Sequence, residues 1–159
     1  MRVLLFLLIS LNVWAVGFLQ PDEAFKPKIS LIDDSTVGVE IELGNQIYVY
    51  SDKLKVEDAD PKDGINFASI SMEDAVEHDG ERVYESSPAI RIKLGKNGDL
   101  TGKQQVKVKL SYQGCSSAGL CYEPMTKELT VDVFVDKLPS SDKAANSILN
   151  APAVNTVES

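Results

Sequence analysis

Cys115 and Cys121 are the two cysteines of the 159-residue chain. Five residues separate them in Ser111-Tyr-Gln-Gly-Cys115-Ser-Ser-Ala-Gly-Leu-Cys121-Tyr-Glu-Pro124. Two thiols this close can perform thiol–disulfide exchange, in which a thiolate attacks a disulfide sulfur and no metal or organic cofactor takes part. The same pair can also form an inert bond that pins a loop. Closing so small a ring stabilises a fold by only roughly 2–2.5 kcal/mol in the chain-entropy picture. A structural disulfide would more naturally join distant strands. A short loop carrying Gly114 and Gly119 also allows a strained, easily reduced bond. Against this, Cys-x5-Cys is not the Cys-x-x-Cys redox motif, so spacing alone leaves the two readings level.

Other chemistries find little support. His78 is the single histidine, and in a polar stretch it reads as a surface residue. No Cys/His cluster offers the four ligands of a structural zinc site. No nucleophile-elbow motif supports a hydrolase, and no phosphate-binding glycine loop is present. Asp58 to Gly64 resembles a calcium loop at first sight. Its third carboxylate falls one place late, and position twelve is Ser69 rather than Glu, so it reads as a polar turn. Glu40 and Glu42 sit on the outward side of a strand pattern. With 16 basic and 24 acidic residues the net charge is −8, which argues against nucleic acid as a partner.

The elements that must position the cysteines read as strands. Val37, Val39, Ile41 and Leu43 alternate with Glu40 and Glu42, the pattern of a half-buried strand. Lys28–Asp33, Ile47–Tyr50, Leu54–Val56 and Ala89–Leu94 are further strand candidates. Gly95–Gly98 is a turn, and Asn97-Gly98 is a strong hairpin dipeptide. Val106, Val108, Leu110 and Tyr112 share one face before the cysteines. Leu129, Val131, Val133 and Val135 share one after them. The cysteine loop therefore joins two antiparallel neighbours. Residues 57–88 break the pattern: Met72, Ala75 and Val76 suggest one helical turn at most, and Glu77–Pro88 reads as a solvated loop, with a mobile flap as the functional alternative. Phe18–Pro27 is an irregular lead-in. Seven or eight short strands without a substantial helix predict an all-β chain, an immunoglobulin-like β-sandwich of two facing sheets.

The ends read differently. Arg2, the apolar run Val3–Ile9 and the small residues Ala15-Val16-Gly17 predict a signal peptide over residues 1–17, hence export to an oxidising compartment where the cysteines pair. Residues 18–138 form the domain, and 139–159, polar with scattered prolines, form a linker or frayed tail. No later stretch is apolar enough to span a bilayer.

The segment Tyr112-Gln-Gly-Cys115, five residues, Cys121-Tyr-Glu-Pro-Met-Thr-Lys127 closely resembles the signature of the N-terminal (alpha) domain of the bacterial thiol:disulfide interchange protein DsbD. Phe18-Leu-Gln-Pro-Asp-Glu-Ala-Phe25 and Ile47-Tyr-Val-Tyr50 are also similar to that family's. The resemblance covers residues 18–136. It implies a periplasmic immunoglobulin-like protein-disulfide reductase module without a cofactor, with Cys115–Cys121 as a reversible disulfide. Electrons would come from a thioredoxin-like domain of the same full-length protein. They would pass to periplasmic disulfide isomerases and to thioredoxin-like proteins of cytochrome c maturation. The membrane would be touched only through a transmembrane domain outside these residues. Cys121 would form the mixed disulfide and Cys115 resolve it. Tyr48, Tyr50 and Tyr122 would shape the pocket. A cap loop, by position Asp79–Ser86, would shield the pair, with Asp79 and Glu81 as its acidic residues. The family cap usually presents Phe followed by Tyr-Gly. Here Val83-Tyr84-Glu85 stands instead, so either Val83 or Tyr84 shields, or the cap is weaker. The rival is a secreted immunoglobulin-like binding module with a structural disulfide.

Overall fold

The computed structural model describes residues 17–61 and 64–140. The expected signal peptide, apart from Gly17, and the expected tail from 141 onward lie outside the described residues. Within them the chain forms one short helix, α1 (Pro21–Ala24), and eleven strands. These are β1 (Phe25–Asp33), β2 (Thr36–Leu43), β3 (Ile47–Tyr50), β4 (Lys55–Asp58), β5 (Ile65–Met72), β6 (Val76–His78), β7 (Glu81–Tyr84), β8 (Ala89–Lys96), β9 (Lys103–Tyr112), β10 (Gly114–Ser116) and β11 (Met125–Phe134).

The alternating runs became the core strands, because a strand with apolar residues at every second position can bury one whole face. Val37, Val39 and Ile41 of β2, Ile90, Ile92 and Leu94 of β8, and Val106, Val108, Leu110 and Tyr112 of β9 are all buried in one cluster. On β11 the inward row is buried at Val133 and half-covered at Leu129 and Val131. β9 and β11 pair antiparallel over ten positions, from Met125 opposite Tyr112 to Phe134 opposite Lys103, as the flanking patterns predict.

The chain is an immunoglobulin-like β-sandwich whose second layer is divided. One sheet has the order β1-β2-β8-β5, another β10-β3-β7-β6, and a third β11-β9-β4. The last two run into each other: β3 leads through a 3-10 turn at Ser51–Lys53 into β4, and β9 leads through Gln113 into β10. A main-chain bond from Tyr50 N–H to the Gln113 carbonyl, 3.0 Å, spans the junction. The expected pair of sheets is thus three hydrogen-bonded sheets in two layers, because the chain bends beside the cysteines.

Residues 57–88 depart most from expectation. The suggested helical turn at Met72–Val76 is absent; Met72 ends β5 and Val76 begins β6. The expected loop contains a hairpin, β6–β7, whose turn residues Asp79 and Gly80 both have positive φ, 51° and 84°. That geometry suits a two-residue hairpin turn and is the reason Asp-Gly favours one. Asn97-Gly98, by contrast, makes no hairpin: β8 and β9 belong to different sheets, so the chain crosses between layers there. The lead-in holds α1, and β1 begins at Phe25, three residues earlier than the pattern indicates. Paired backbone runs to Ser140, which bridges Lys96, two residues past the expected boundary at 138. Among the described residues no helix is long and apolar enough to cross a membrane.

Candidate redox site

The β9–β11 ladder carries the cysteine loop as its end connection. β9 turns at Gln113 into β10, and β10 pairs with β3, placing Gly114 opposite Val49, Cys115 opposite Tyr48 and Ser116 opposite Ile47. Residues directly opposite in an antiparallel pair point their side chains to the same face. Cys115 therefore shares a face with Tyr48 and, two residues along, with Tyr50. Gly114 lies against β3 so closely that a β-carbon there would stand 2.0 Å from the Tyr48 carbonyl oxygen and 2.9 Å from the Phe25 ring. Close approach, rather than a positive φ, is what requires this glycine. Gly119 does have a positive φ, 99°, and turns the chain back. Ser116 N–H then donates to the Leu120 carbonyl at 2.7 Å, and Tyr122 N–H to the Gly114 carbonyl at 3.0 Å. These two bonds set Cys121 beside Cys115 as an antiparallel bridge. The two sulfurs are joined, with their Cα atoms 4.0 Å apart.

The two ends of this bond have different surroundings. Cys115 is buried, at 1% exposure, while Cys121 is exposed. Tyr50 places its hydroxyl 3.3 Å from Cys115 Sγ. A disulfide sulfur has no proton, so Tyr50 is the donor. Tyr48 and Tyr50 pack edge to face with centroids 5.6 Å apart. Burial pushes the Tyr48 phenol up to about 12, aided by its hydrogen bond with Tyr50 and by the charges of Tyr50 and Asp79. The phenol stays protonated over the physiological range.

Tyr122 takes a different place from the other two tyrosines. It follows Cys121, so its side chain points to the opposite side. Its ring lies in the core, perpendicular to Phe25 at 5.1 Å. Its hydroxyl donates to the Leu19 carbonyl at 2.9 Å, which fastens the lead-in to the cysteine loop.

The cap candidates sit on the β6–β7 hairpin, which joins the site's sheet through β7–β3 pairing, Tyr84 opposite Val49 and Val83 opposite Tyr50. Val83 is fully buried, outside the main core cluster and on the Tyr50 side of the sheet. Tyr84 points the other way and donates its hydroxyl to the Glu73 carbonyl at 3.2 Å. Asp79 and Glu81 are exposed at and beside the turn. The hairpin residue whose ring meets Tyr48 is His78. Its ring lies over Tyr48 with centroids 4.9 Å apart, and its Nδ1–H donates to the Glu85 carboxylate at 2.7 Å. In the sequence alone His78 reads as a surface residue. The missed signal was Asp79-Gly80: once that dipeptide is taken as a hairpin turn, His78 becomes the last residue of a strand rather than part of a loop.

Two clefts of about 620 and about 640 Å³ lie elsewhere and include neither cysteine. Of the two cysteines, Cys121 is the one on an exposed residue, open to approach by an incoming thiol.

Comparison with known proteins agrees with this geometry. A family described as the N-terminal domain of the thiol:disulfide interchange protein DsbD matches residues 15–133. The chain belongs to that family. DsbD of Campylobacter jejuni (strain RM1221) is 31% identical over 128 residues, covering 79% of this chain and 22% of that protein. DsbD of Neisseria meningitidis serogroup A is 28% identical over 136 residues, covering 84% and 22%. The chain thus spans about a fifth of the length of the curated relatives it matches. Among solved structures, the reduced N-terminal domain of Neisseria meningitidis DsbD aligns with a TM-score of 0.54 and 25% identity, over 73% of this chain and 90% of that one. The same species' DsbD N-terminal domain in complex with the PilB N-terminal domain aligns with a TM-score of 0.53 and 26% identity, over 70% and 85%. Membership in the DsbD family and the joined Cys115–Cys121 pair together support thiol–disulfide interchange as this chain's chemistry.

Proposed function

We propose that residues 18–138 form a periplasmic protein-disulfide reductase module that relays electrons through Cys115 and Cys121. The observation that carries this reading is the asymmetry of the pair, Cys121 an exposed residue and Cys115 a buried one beside a hydroxyl donor. A donor thiolate, from a thioredoxin-like domain of the full-length protein, attacks Cys121 Sγ. The Cys115–Cys121 bond breaks, and Cys115 leaves as a thiolate facing the Tyr50 hydroxyl. The donor's second thiol then attacks the mixed disulfide at the donor's own sulfur and releases Cys121. The donor ends oxidised to its disulfide, and this chain ends with two thiols.

In the second half-reaction the Cys121 thiolate attacks a disulfide of an acceptor, and one acceptor sulfur leaves as a thiolate. Cys115 then resolves the mixed disulfide, restoring the original bond and leaving the acceptor with two thiols. Thioredoxin-fold acceptors, the periplasmic disulfide isomerases and the cytochrome c maturation proteins, fit this scheme. The complex formed by the related Neisseria domain with the PilB N-terminal domain supports a protein partner. Tyr48 and Tyr50 shape the pocket, Tyr122 holds the backbone after Cys121, and the hairpin bearing Asp79, Glu81, Val83 and Tyr84 flanks the site. Residues 1–17 act as the export signal and 139–159 as a linker.

The test is transfer of electrons to a disulfide-bonded partner domain. Cys121→Ser is expected to remove it, with a rate loss of at least about 10³-fold, because the attacking thiolate is gone. Cys115→Ser is expected instead to accumulate a mixed disulfide. Transfer that persists in Cys121→Ser would leave the disulfide as a structural bond in a binding module.

A further inference from the structure

The two halves of the cysteine loop are held by different parts of the chain. The first half belongs to a sheet: β10 pairs with β3 through Gly114, Cys115 and Ser116, and Ser117 N–H donates to the Gln46 carbonyl at 2.8 Å. The half bearing Cys121 pairs with the first half, through Ser116 N–H to the Leu120 carbonyl and Tyr122 N–H to the Gly114 carbonyl. Its hold on the rest of the domain comes from the half-covered Leu120 side chain and, one residue past Cys121, from Tyr122. The Tyr122 carbonyl accepts Gln113 Nε2 at 3.1 Å. Its ring stands against Phe25, and its hydroxyl donates to the Leu19 carbonyl at 2.9 Å. Leu19 is itself fixed from both sides. Its side chain lies so close over Gly44 that a β-carbon there would stand 2.6 Å from it. The next residue, Gln20, is locked to α1: its carbonyl accepts the N–H groups of Glu23 and Ala24 at 2.9 and 2.8 Å, and its own N–H donates to the Glu23 carboxylate at 3.1 Å. Gly17 and Phe18 run on beside the loop and line, with Ser116 and Ala118, a cleft of about 180 Å³. The lead-in thus reaches from the cap of α1 to the residue that follows the exposed cysteine.

We infer that residues 17–20 form a clasp that sets the redox poise of the Cys115–Cys121 pair, with Tyr122 as its positioning residue. The inference rests on the exchange reading above and says what fixes the equilibrium of the pair. Two thiols on one chain oxidise more readily the higher the effective concentration at which the fold holds one to the other. Cys115 is held by the main-chain ladder of β10 on β3, whether or not the sulfurs are joined. Cys121 is held by the disulfide and by its neighbour Tyr122. When the disulfide opens, the clasp keeps the Cys121 segment beside β10 and the two thiols close. The Tyr122 ring lies in the core, so it acts through the position of the backbone rather than on the sulfurs. The exchange that reads this effect is protein dithiol plus glutathione disulfide going to protein disulfide plus two glutathione thiols. The protein gives up two electrons and two protons, and glutathione disulfide takes them as its own bond breaks. A seated clasp moves the balance toward the protein disulfide, which makes the dithiol the stronger reductant. Unseating it makes the dithiol a weaker one.

The experiment measures the equilibrium constant of the pair against reduced and oxidised glutathione in the full chain, in Tyr122→Phe, in Leu19→Gly and in the double variant. Tyr122→Phe keeps the ring on Phe25 and removes the hydroxyl. Leu19→Gly removes the side chain that seats the lead-in over Gly44 and loosens the accepting carbonyl. Each single variant is expected to shift the constant toward the dithiol by about fivefold, the weight of one ordinary hydrogen bond. The double variant should shift it no further than the larger single change, because both act through one contact. Urea midpoints are read for the disulfide and dithiol forms of each variant. A purely structural role would lower both midpoints alike and leave the constant where it was, which would overturn the inference. Shifts that multiply in the double variant would also overturn it, since Leu19 and Tyr122 would then act apart. Either result leaves the exchange reading intact as long as glutathione opens the pair in the full chain. A full-chain pair that no glutathione ratio opens would overturn the exchange reading and this inference together.

Discussion

The cysteine loop and the β6–β7 hairpin meet at Tyr48, but they are held in opposite ways. The loop grows out of β9 and β11, which pair over ten positions, and it is anchored by β10 on β3 and by the Tyr122 contacts with Phe25 and Leu19. The hairpin consists of strands of three and four residues. It hangs on β3 through two paired positions, Tyr84–Val49 and Val83–Tyr50, and on Tyr48 through one histidine ring. Elements with long ladders open only with much of the fold, whereas short ones with few paired positions open locally at smaller cost, here the burial of Val83 and part of Tyr84. The contrast fits the proposed work. A reactive sulfur must be held at fixed geometry, while whatever flanks it must give way when a protein partner docks.

The largest expected effect strikes the anchored side. Gly114→Ala forces a β-carbon against the Tyr48 carbonyl, a backbone atom that cannot turn aside as a side chain can. It should destabilise the chain by about 3 kcal/mol, seen as a lower urea midpoint at unchanged slope. An unaltered midpoint would show that β10 is not fixed on β3. Next comes the buried sulfur. Tyr50→Phe deletes the hydroxyl 3.3 Å from Cys115 Sγ and so a hydrogen bond to the departing thiolate. Such bonds to charged groups contribute about 1.5–3 kcal/mol, so exchange with a partner thiol should slow by about tenfold or more while the urea midpoint stays put. An equal rate in Tyr50→Phe would remove this residue from the mechanism.

The smallest effect belongs to the hairpin. His78→Ala removes the ring over Tyr48 and the bond to Glu85, a contact of about 0.5–1.5 kcal/mol. Amides of residues 76–84 should exchange about fivefold faster, with those of β9 and β11 unchanged. If the ladder amides accelerate by the same factor, loop and hairpin are one cooperative unit and the contrast between them fails.

How much of this was legible in the sequence follows the same contrast. The ladder was plain, because Val106–Tyr112 and Leu129–Val135 alternate with charged residues, and only a strand with one buried face makes sense of that period. The cysteine motif and the tyrosines of β3 were legible through the family resemblance. The region 57–88 was not. Its strands are mostly solvent-facing, so β5 and β6 bury too little to impose a period: Ile70, Met72 and Val76 stay exposed. The two Xaa-Gly dipeptides taught opposite lessons, since Asn97-Gly98 lies at a crossing between layers and Asp79-Gly80 makes the hairpin. A dipeptide permits a turn, but pairing of the flanking strands decides whether it becomes one. The burial difference between Cys115 and Cys121 is a tertiary property, set by where β3 and the Tyr122 backbone lie, and no spacing rule carries it.

The most direct test of the central claim is the reduction potential of the Cys115–Cys121 bond. The purified chain would be equilibrated in glutathione buffers of graded ratio, thiols trapped by alkylation, and the fold followed by circular dichroism at each ratio. The account predicts a potential above roughly −300 mV, within reach of exchange partners, and a sandwich that stays folded in both redox states. A potential well below roughly −300 mV, or a chain that unfolds once the bond opens, would contradict it and make the disulfide a structural staple.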